Sequence, residues 1–267
     1  MANEYFGNAD QQRMARRGEA LMRILQDDPR FCSHGRGVQL AEYSPQSAQI
    51  VEDLARLLGA SACEYVPVED AEEFEAGLRA RGLKTDRILH YFSNEETLDL
   101  ARAAVLKRPL PDDLSVQIVD KDSSQELLEA FAEVSMPHGV LPPAGNVMRG
   151  ISRPGFAMVA IDANNRPVAT AGSVASNHPK GPAADKVQWG QLATVPNRQG
   201  EGIAKTLGAM AMLEAEKRLD AKTFRTGIRE GNTASDRLCR SLGMSPSPYE
   251  IVIGIDPEIF GEARLTK

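Results

Sequence analysis

Gln199-Gly200-Glu201-Gly202-Ile203-Ala204 places two glycines directly ahead of a segment whose apolar residues recur at helical spacing. Ile203, Leu207, Met210 and Leu213 form one apolar stripe, with Glu214, Lys217 and Arg218 on the other face, so the spacing predicts an amphipathic helix packed on a sheet. Thr194-Val195-Pro196 ends an extended, β-branched run into the loop, so the chain must pass from strand through glycine loop to helix. Such a turn suits an anion. Glycine lets backbone approach a pyrophosphate, and the free N–H groups and dipole of a first helical turn favour negative charge. Neither G-x-x-x-x-G-K-[ST] nor G-x-G-x-x-G is present, which excludes a P-loop and a complete dinucleotide fingerprint.

The flanking pattern builds the rest of an α/β unit. Downstream, residues 223–229 alternate through Phe224, Thr226 and Ile228 as a strand. Asn232 is placed to cap a short helix carrying Ala234, Leu238 and Leu242, Gly243 ends it, and 249–255 read as a final strand. Upstream, residues 114–119 read as a strand, 124–134 as a helix with Leu127, Leu128 and Phe131, and 156–161 as a second strand. Asn164-Asn165-Arg166 turns into 167–174, where Pro167 fits only a strand's start or edge, and 186–195 deliver the glycine loop.

Bulk properties narrow the class. With 267 residues and 42% hydrophobic content the chain has ample core for one large or two modest domains. No apolar run is long enough for a membrane span, and Met1-Ala2-Asn3-Glu4-Tyr5 opens a polar segment without the apolar core of a signal peptide, so cytoplasmic residence is the expectation. Cys32, Cys63 and Cys239 are far apart, which suggests buried thiols and neither a disulfide framework nor a metal cluster. A net charge of -6 argues against a nucleic-acid surface and permits a cationic amine substrate.

The glycine loop resembles the pyrophosphate motif [QR]-x-x-G-x-[GA] of the GCN5-related N-acetyltransferase (GNAT) family, with Gln199 first, Gly202 central and Ala204 last. Asn232-x-x-Ser235-x-x-Leu238-Cys239-x-x-x-Gly243-Met244 resembles the family's second half, and the likeness extends over about residues 113–256. It implies an α/β fold, an α+β mixed sheet, and transfer of acetyl from acetyl-CoA, as cosubstrate, to a primary amine of a small molecule or protein by direct attack. It further implies that the backbone of Leu192, Ala193 and Thr194 pairs with pantetheine. Gln199, Gly200, Glu201, Gly202, Ile203, Ala204 and Lys205 would hold the pyrophosphate, with Asn232 and Ser235 beside the coenzyme. Family members often pair through exposed strands, so a homodimer is a further expectation; neither nucleic acid, membrane nor metal is expected.

Catalytic residues depart from the family pattern. Where members commonly present a Tyr hydroxyl to the leaving thiolate stands Cys239, a weak donor that either protonates it or packs; Tyr249 and Ser235 are alternatives. Where some carry a Glu base stands Gln188, which takes no proton at neutral pH, so the amine's proton leaves by water or by another base. His138, on the loop that in this family walls the acceptor pocket, has an unperturbed pKa of about 6.5 and is that candidate. Trp189 either packs in the sheet or lines the acceptor cleft. The missing Tyr and Glu motivate a second class, a non-catalytic acyl-CoA-binding sensor or interaction module.

Residues 108–113, rich in proline and charge, read as a junction between regions 1–107 and 114–267. After a helix at 11–25, the first region reads strand 38–42, helix 47–58, strand 64–68, helix 71–81 and strand 87–92, with Gly59 and Gly82 closing the helices. This is the order seen again from 186 to 255, and Gln39-Leu40-Ala41 recurs as Gln191-Leu192-Ala193. It reads either as a degenerate GNAT-like half-repeat or as an unrelated α/β cap. Ser44-Pro45-Gln46-Ser47 holds no glycine, so a coenzyme is not expected there; the region extends the sheet, covers its edge or walls the substrate.

Overall fold

The computed structural model describes residues 4–261; Met1–Asn3 of the polar opening and residues 262–267 lie outside that range. The first region runs α1 (Ala9–Ile24), β1 (Phe31–Cys32), β2 (Gln39–Leu40), α2 (Ser47–Leu58), β3 (Ala60–Pro67), α3 (Ala71–Ala80), β4 (Lys84–Ser93) and α4 (Thr97–Lys107). The second runs β5 (Leu114–Val119), α5 (Gln125–Ser135), α6 (Gly145–Met148), β6 (Gly155–Asp162), β7 (Pro167–Val174), β8 (Lys186–Thr194), α7 (Ile203–Leu219), β9 (Thr223–Ile228), α8 (Thr233–Arg240), β10 (Met244–Ile255) and α9 (Pro257–Phe260). No helix among these residues is long and apolar enough to cross a membrane.

Most elements follow from local chemistry. Asn165 takes a left-handed φ of 60° in the turn between β6 and β7, and Pro167 begins β7. The Asn232 side chain accepts from Ser235 N–H at the start of α8, and Gly243 leaves it with φ 77°. Two boundaries differ from the pattern reading by four residues or more. β3 begins at Ala60 because the whole run from Ala60 to Val66 is buried, so small and polar residues extend the strand past its β-branched part. β10 begins at Met244, five residues before the alternation at Tyr249 becomes visible. Helix α4 has no counterpart in the sequence reading: only Thr97 and Ala101 are fully buried, and Leu106 is exposed, so its apolar stripe is faint.

All strands join one ten-stranded mixed sheet in the order β1-β2-β3-β10-β4-β9-β8-β7-β6-β5. The pairing is symmetric about β10 and β4, which run antiparallel to each other. On one side β10 pairs antiparallel with β3, which pairs parallel with β2; on the other β4 pairs antiparallel with β9, which pairs parallel with β8. Each strand-helix-strand-helix-strand run therefore contributes its last strand to the other's side of the sheet. The cores follow the exchange. Tyr91 and Ala101 pack with Trp189, Leu207 and Phe224, while Val252, Ile255 and Phe260 pack with Val51, Leu54 and Leu78.

Candidate active-site cleft

Strands β8 and β9 pair only from Lys186–Thr223 to Gln188–Arg225. Beyond Gln188, Gly190 (φ 140°) and Gln191 (φ 58°) form a bulge where the register against β7 shifts between Thr170 and Gly172. A side chain at left-handed φ is strained; here the Thr170 hydroxyl, donating to Gln191 O at 2.8 Å, helps hold it. The two strands part, and a cleft of about 950 Å³ opens between them. It runs from the glycine loop to Arg36, Glu64 and Leu141 on the far side.

The cofactor-binding residues expected on β8 sit on one wall. Leu192, Ala193 and Thr194 line the cleft. Val195 N–H donates to Val168 O of β7 at 2.9 Å, and ladder alternation then turns the amide of Thr194 away from β7, towards the gap left by β9. Of the amides from Ala193 to Val195, the sheet thus uses Val195 and leaves Thr194. Its hydroxyl is buried without a protein partner, and its carbonyl accepts from Gln199 Nε2 at 3.1 Å.

At the end of β8 the 3-10 turn Pro196–Arg198 leads into the loop. Gly200 (φ 86°) and Gly202 (φ 81°) occupy left-handed conformations that side-chain residues rarely adopt, and Gly202 is the N-cap of α7. No side chain caps this helix and no acidic residue lies in its first turn, so the amides of Ile203, Ala204 and Lys205 keep their donors free for an anion. Gln199, Gly200, Gly202, Ile203, Ala204 and Lys205 line the cleft; Glu201 does not, and its carboxylate accepts from Arg198 Nε at 2.7 Å. Arg108, in the junction between the two regions, reaches the same loop: its guanidinium lies 2.6 Å from where a Cβ on Gly202 would stand.

The remaining predicted site residues divide. Asn232, Ser235 and Cys239 line the cleft from α8, and His138 lines it from the 3-10 turn Met136–His138. Burial pushes the Cys239 thiol up to about 12, so it keeps its proton at neutral pH. Tyr249 is not among the lining residues. Its ring packs against Tyr65 and Phe92 at centroid distances of 5.8 and 6.2 Å. No tyrosine among the described residues lines the cleft. Trp189 is 1% exposed, donates to Gly208 O of α7 at 2.9 Å, and is among the residues lining the cleft.

Sequence reading missed the charged network at the cleft's base. Arg225 of β9, 0% exposed, donates to Glu64 of β3 at 2.7 Å, to Ser176 Oγ at 2.8 Å and to His34 Nε2 at 3.1 Å. Burial alone would raise the Glu64 carboxyl, but the charge of the Arg225 guanidinium bonded to it outweighs that and holds it well below the carboxylate range. An arginine N–H can only donate, so His34 Nε2 accepts and the ring is neutral; burial, seconded by Arg225, also pulls its pKa down despite Glu64. Cys32, His34 and Glu64 bring donor atoms within 4.8 Å of one another. With Arg225 already on the carboxylate and burial pushing the Cys32 thiol up, the set fits charge neutralisation better than metal ligation. The signal was a lone charge in each of two otherwise uncharged strand stretches, Glu64 in β3 and Arg225 in β9.

Comparison with known proteins agrees with this geometry. The family described as Acetyltransferase (GNAT) family matches residues 125–244. A GCN5-related N-acetyltransferase from Kribbella flavida superposes with a TM-score of 0.55 at 16% identity, over 91% of this chain and 95% of that one. A GCN5-related N-acetyltransferase-like protein from Streptococcus suis gives 0.51 at 15%, over 90% and 99%. A tandem GNAT protein from the clavulanic acid biosynthesis pathway gives 0.50 at 13%, over 81% and 74%. No curated protein matches the chain. The parted strands, the glycine loop and the capped α8 all fall within the matched segment; residues 125–244 match the GNAT family, and the chain has the mixed α/β fold of the GNAT proteins it superposes on.

Proposed function

We infer that this protein is an N-acetyltransferase that moves the acetyl group of acetyl-CoA to a primary amine of a small molecule or peptide. The carrying observation is the uncapped N-terminus of α7, behind two left-handed glycines, at one end of a continuous cleft. The residues present fit the coenzyme: open space beside Gly200 admits a phosphate, and the buried Thr194 hydroxyl lacks a protein partner. Bound there, the coenzyme supplies an activated thioester.

The chain's own groups then have distinct tasks. The Thr194 amide donates to the acyl oxygen, where negative charge develops during attack. The main chain of Leu192, which faces the same gap, pairs with the pantetheine arm as in an added strand. Glu64, the one acid lining the cleft among the described residues, is tied to Arg225, and His34 is held neutral by the same guanidinium. His138 is therefore the group assigned to take the amine's proton, and Cys239 is the donor available to the departing sulfur.

A second reading, an acyl-CoA sensor without turnover, is favoured by the absence of any tyrosine hydroxyl from the described lining. Calorimetric titration with acetyl-CoA tests both. Binding to the wild type and its loss in Gly202→Glu support the cradle, and failure of the wild type to bind sinks both readings. Thiol release with a panel of amines separates enzyme from sensor.

A further inference from the structure

Arg36 lies on the loop between β1 and β2 and lines the cleft on the side away from the glycine loop. In the sheet, β10, β4 and β9 stand between β3 on that side and β8, which carries the loop. Its Nε donates to Leu141 O, and among the described residues this is its one hydrogen bond and none of their carboxylates lies within ion-pairing reach. Burial pulls the guanidinium down to about 10, against the pull of Glu64, so it remains charged at neutral pH. A partly buried guanidinium with no counter-charge is costly, because desolvation is not repaid by a partner. The nearby carboxylate cannot serve, since Glu64 faces Arg225 at 2.7 Å. With Nε taken by Leu141 O, the Nη1 and Nη2 edge remains, and its paired donors match two oxygens of one oxyanion.

The same cleft also offers the opposite chemistry. Gln39, Gln188 and Gln191 each line it and carry a buried side-chain oxygen with no protein partner. Buried acceptors of this kind are satisfied by N–H donors, and an amine supplies them. We propose that the acceptor is an amine that also bears an oxyanion, a carboxylate or phosphate, which Arg36 binds while the glutamine oxygens take the amino group. This rests on the acetyltransferase reading and names its substrate class. Arg36 also repels a polyamine, whose second cation would meet a fixed positive charge.

The test uses the full chain with acetyl-CoA and thiol release as the readout. Acceptors are α-amino acids, their carboxamides, O-phosphoethanolamine, ethanolamine and putrescine. Expected is a kcat/KM roughly ten- to hundred-fold higher for one oxyanion-bearing amine than for its matched neutral partner, as befits a desolvated charge pair. The amino acid arm and the phosphate arm identify the anion. Arg36→Met should raise KM for that acceptor by a similar factor, leave kcat nearly unchanged and abolish the preference for acid over amide. Arg36→Lys should keep part of the preference, and both variants should bind acetyl-CoA as the wild type does by calorimetry. Neutral amines or putrescine serving as well as the acids, or an unchanged KM in Arg36→Met, overturns the proposal. Coenzyme binding without turnover of any amine also overturns it and leaves the coenzyme site standing; no coenzyme binding removes the underlying reading itself.

Discussion

Gly200 and Gly202 look interchangeable in sequence, and the structure separates them. Both have left-handed φ, so alanine at either costs about 1 kcal/mol of backbone strain. Around Gly200 an added Cβ meets nothing within 4 Å, whereas at Gly202 it meets the Arg108 guanidinium at 2.6 Å. That head ends a flexible, exposed side chain and can swing aside, so Gly202→Ala is expected to destabilise only slightly more than Gly200→Ala in urea titrations, and an Arg108→Ala background should remove that small difference. The buried histidines carry a second prediction at this scale. Burial, then Arg225, lowers His90 to about 3, so the folded ring stays neutral while the unfolded one titrates near the ordinary histidine value of 6.5. Below pH 6.5 the unfolded state binds the extra proton, so stability falls as pH drops from 6.5 towards 3, by up to about 1.4 kcal/mol per pH unit for each such histidine. His34 and Glu64 are also lowered and act in the same direction, His34 below 6.5 and Glu64 below 4.5. Urea midpoints measured from pH 7 to pH 5 should decline, and His90→Gln should flatten that slope; a slope unchanged by the substitution would contradict the assignment.

At the scale of elements, the fit of α7 to β8 decides whether the cleft keeps its shape. Gly208 in the middle of α7 faces Trp189, and a Cβ there would stand 2.9 Å from Cζ2 of the indole. Gly208→Val should push the helix off the strand and break the bond from Trp189 Nε1 to the helix carbonyl, costing roughly 1–3 kcal/mol as overpacking does. Trp189 is the chain's only tryptophan, so a red-shifted emission would report the loosened contact directly. Gly77 is the control with the opposite sign: it lies within α3 with nothing within 4 Å, and Gly77→Ala should stabilise by about 0.4–1 kcal/mol. Elements of this kind were legible in the sequence because their signals are local. The apolar stripe of α7, the Asn232 cap and the Asn165 turn lie within a few residues of what they determine. The network of Arg225, Glu64 and His34 was illegible because its members are 161 and 191 positions apart and meet only through strand order. The bulge at Gln191 was hidden for a related reason, since its left-handed residue is not glycine and is held in part by Thr170 on another strand.

The whole molecule is governed by the exchange of β4 and β10, which local patterns do not encode: both read as ordinary last strands of their own runs. Both neighbours of β10, β3 and β4, belong to residues 1–107, and β9 has β4 as its neighbour on the side away from β8. Residues 114–267 alone would leave β10 without either partner and expose Val252 and Ile255, which pack in the first region's core. Residues 1–107 alone would lack the strand between β3 and β4 and would expose Val51, Leu54 and Leu78 of their own core. Neither fragment is expected to unfold cooperatively, whereas the two expressed together should assemble, because every strand then regains its neighbours and the Arg225–Glu64 pair closes across the halves. Loss of that pair by Glu64→Gln should weaken the reassembled complex by several kcal/mol, since it leaves the Arg225 charge buried without a counter-charge. Melting curves of each fragment and of the mixture decide the matter. A sharp transition in 114–267 alone, with acetyl-CoA binding retained, would mean that β10 can pair with β9 and that the first region is dispensable to the fold.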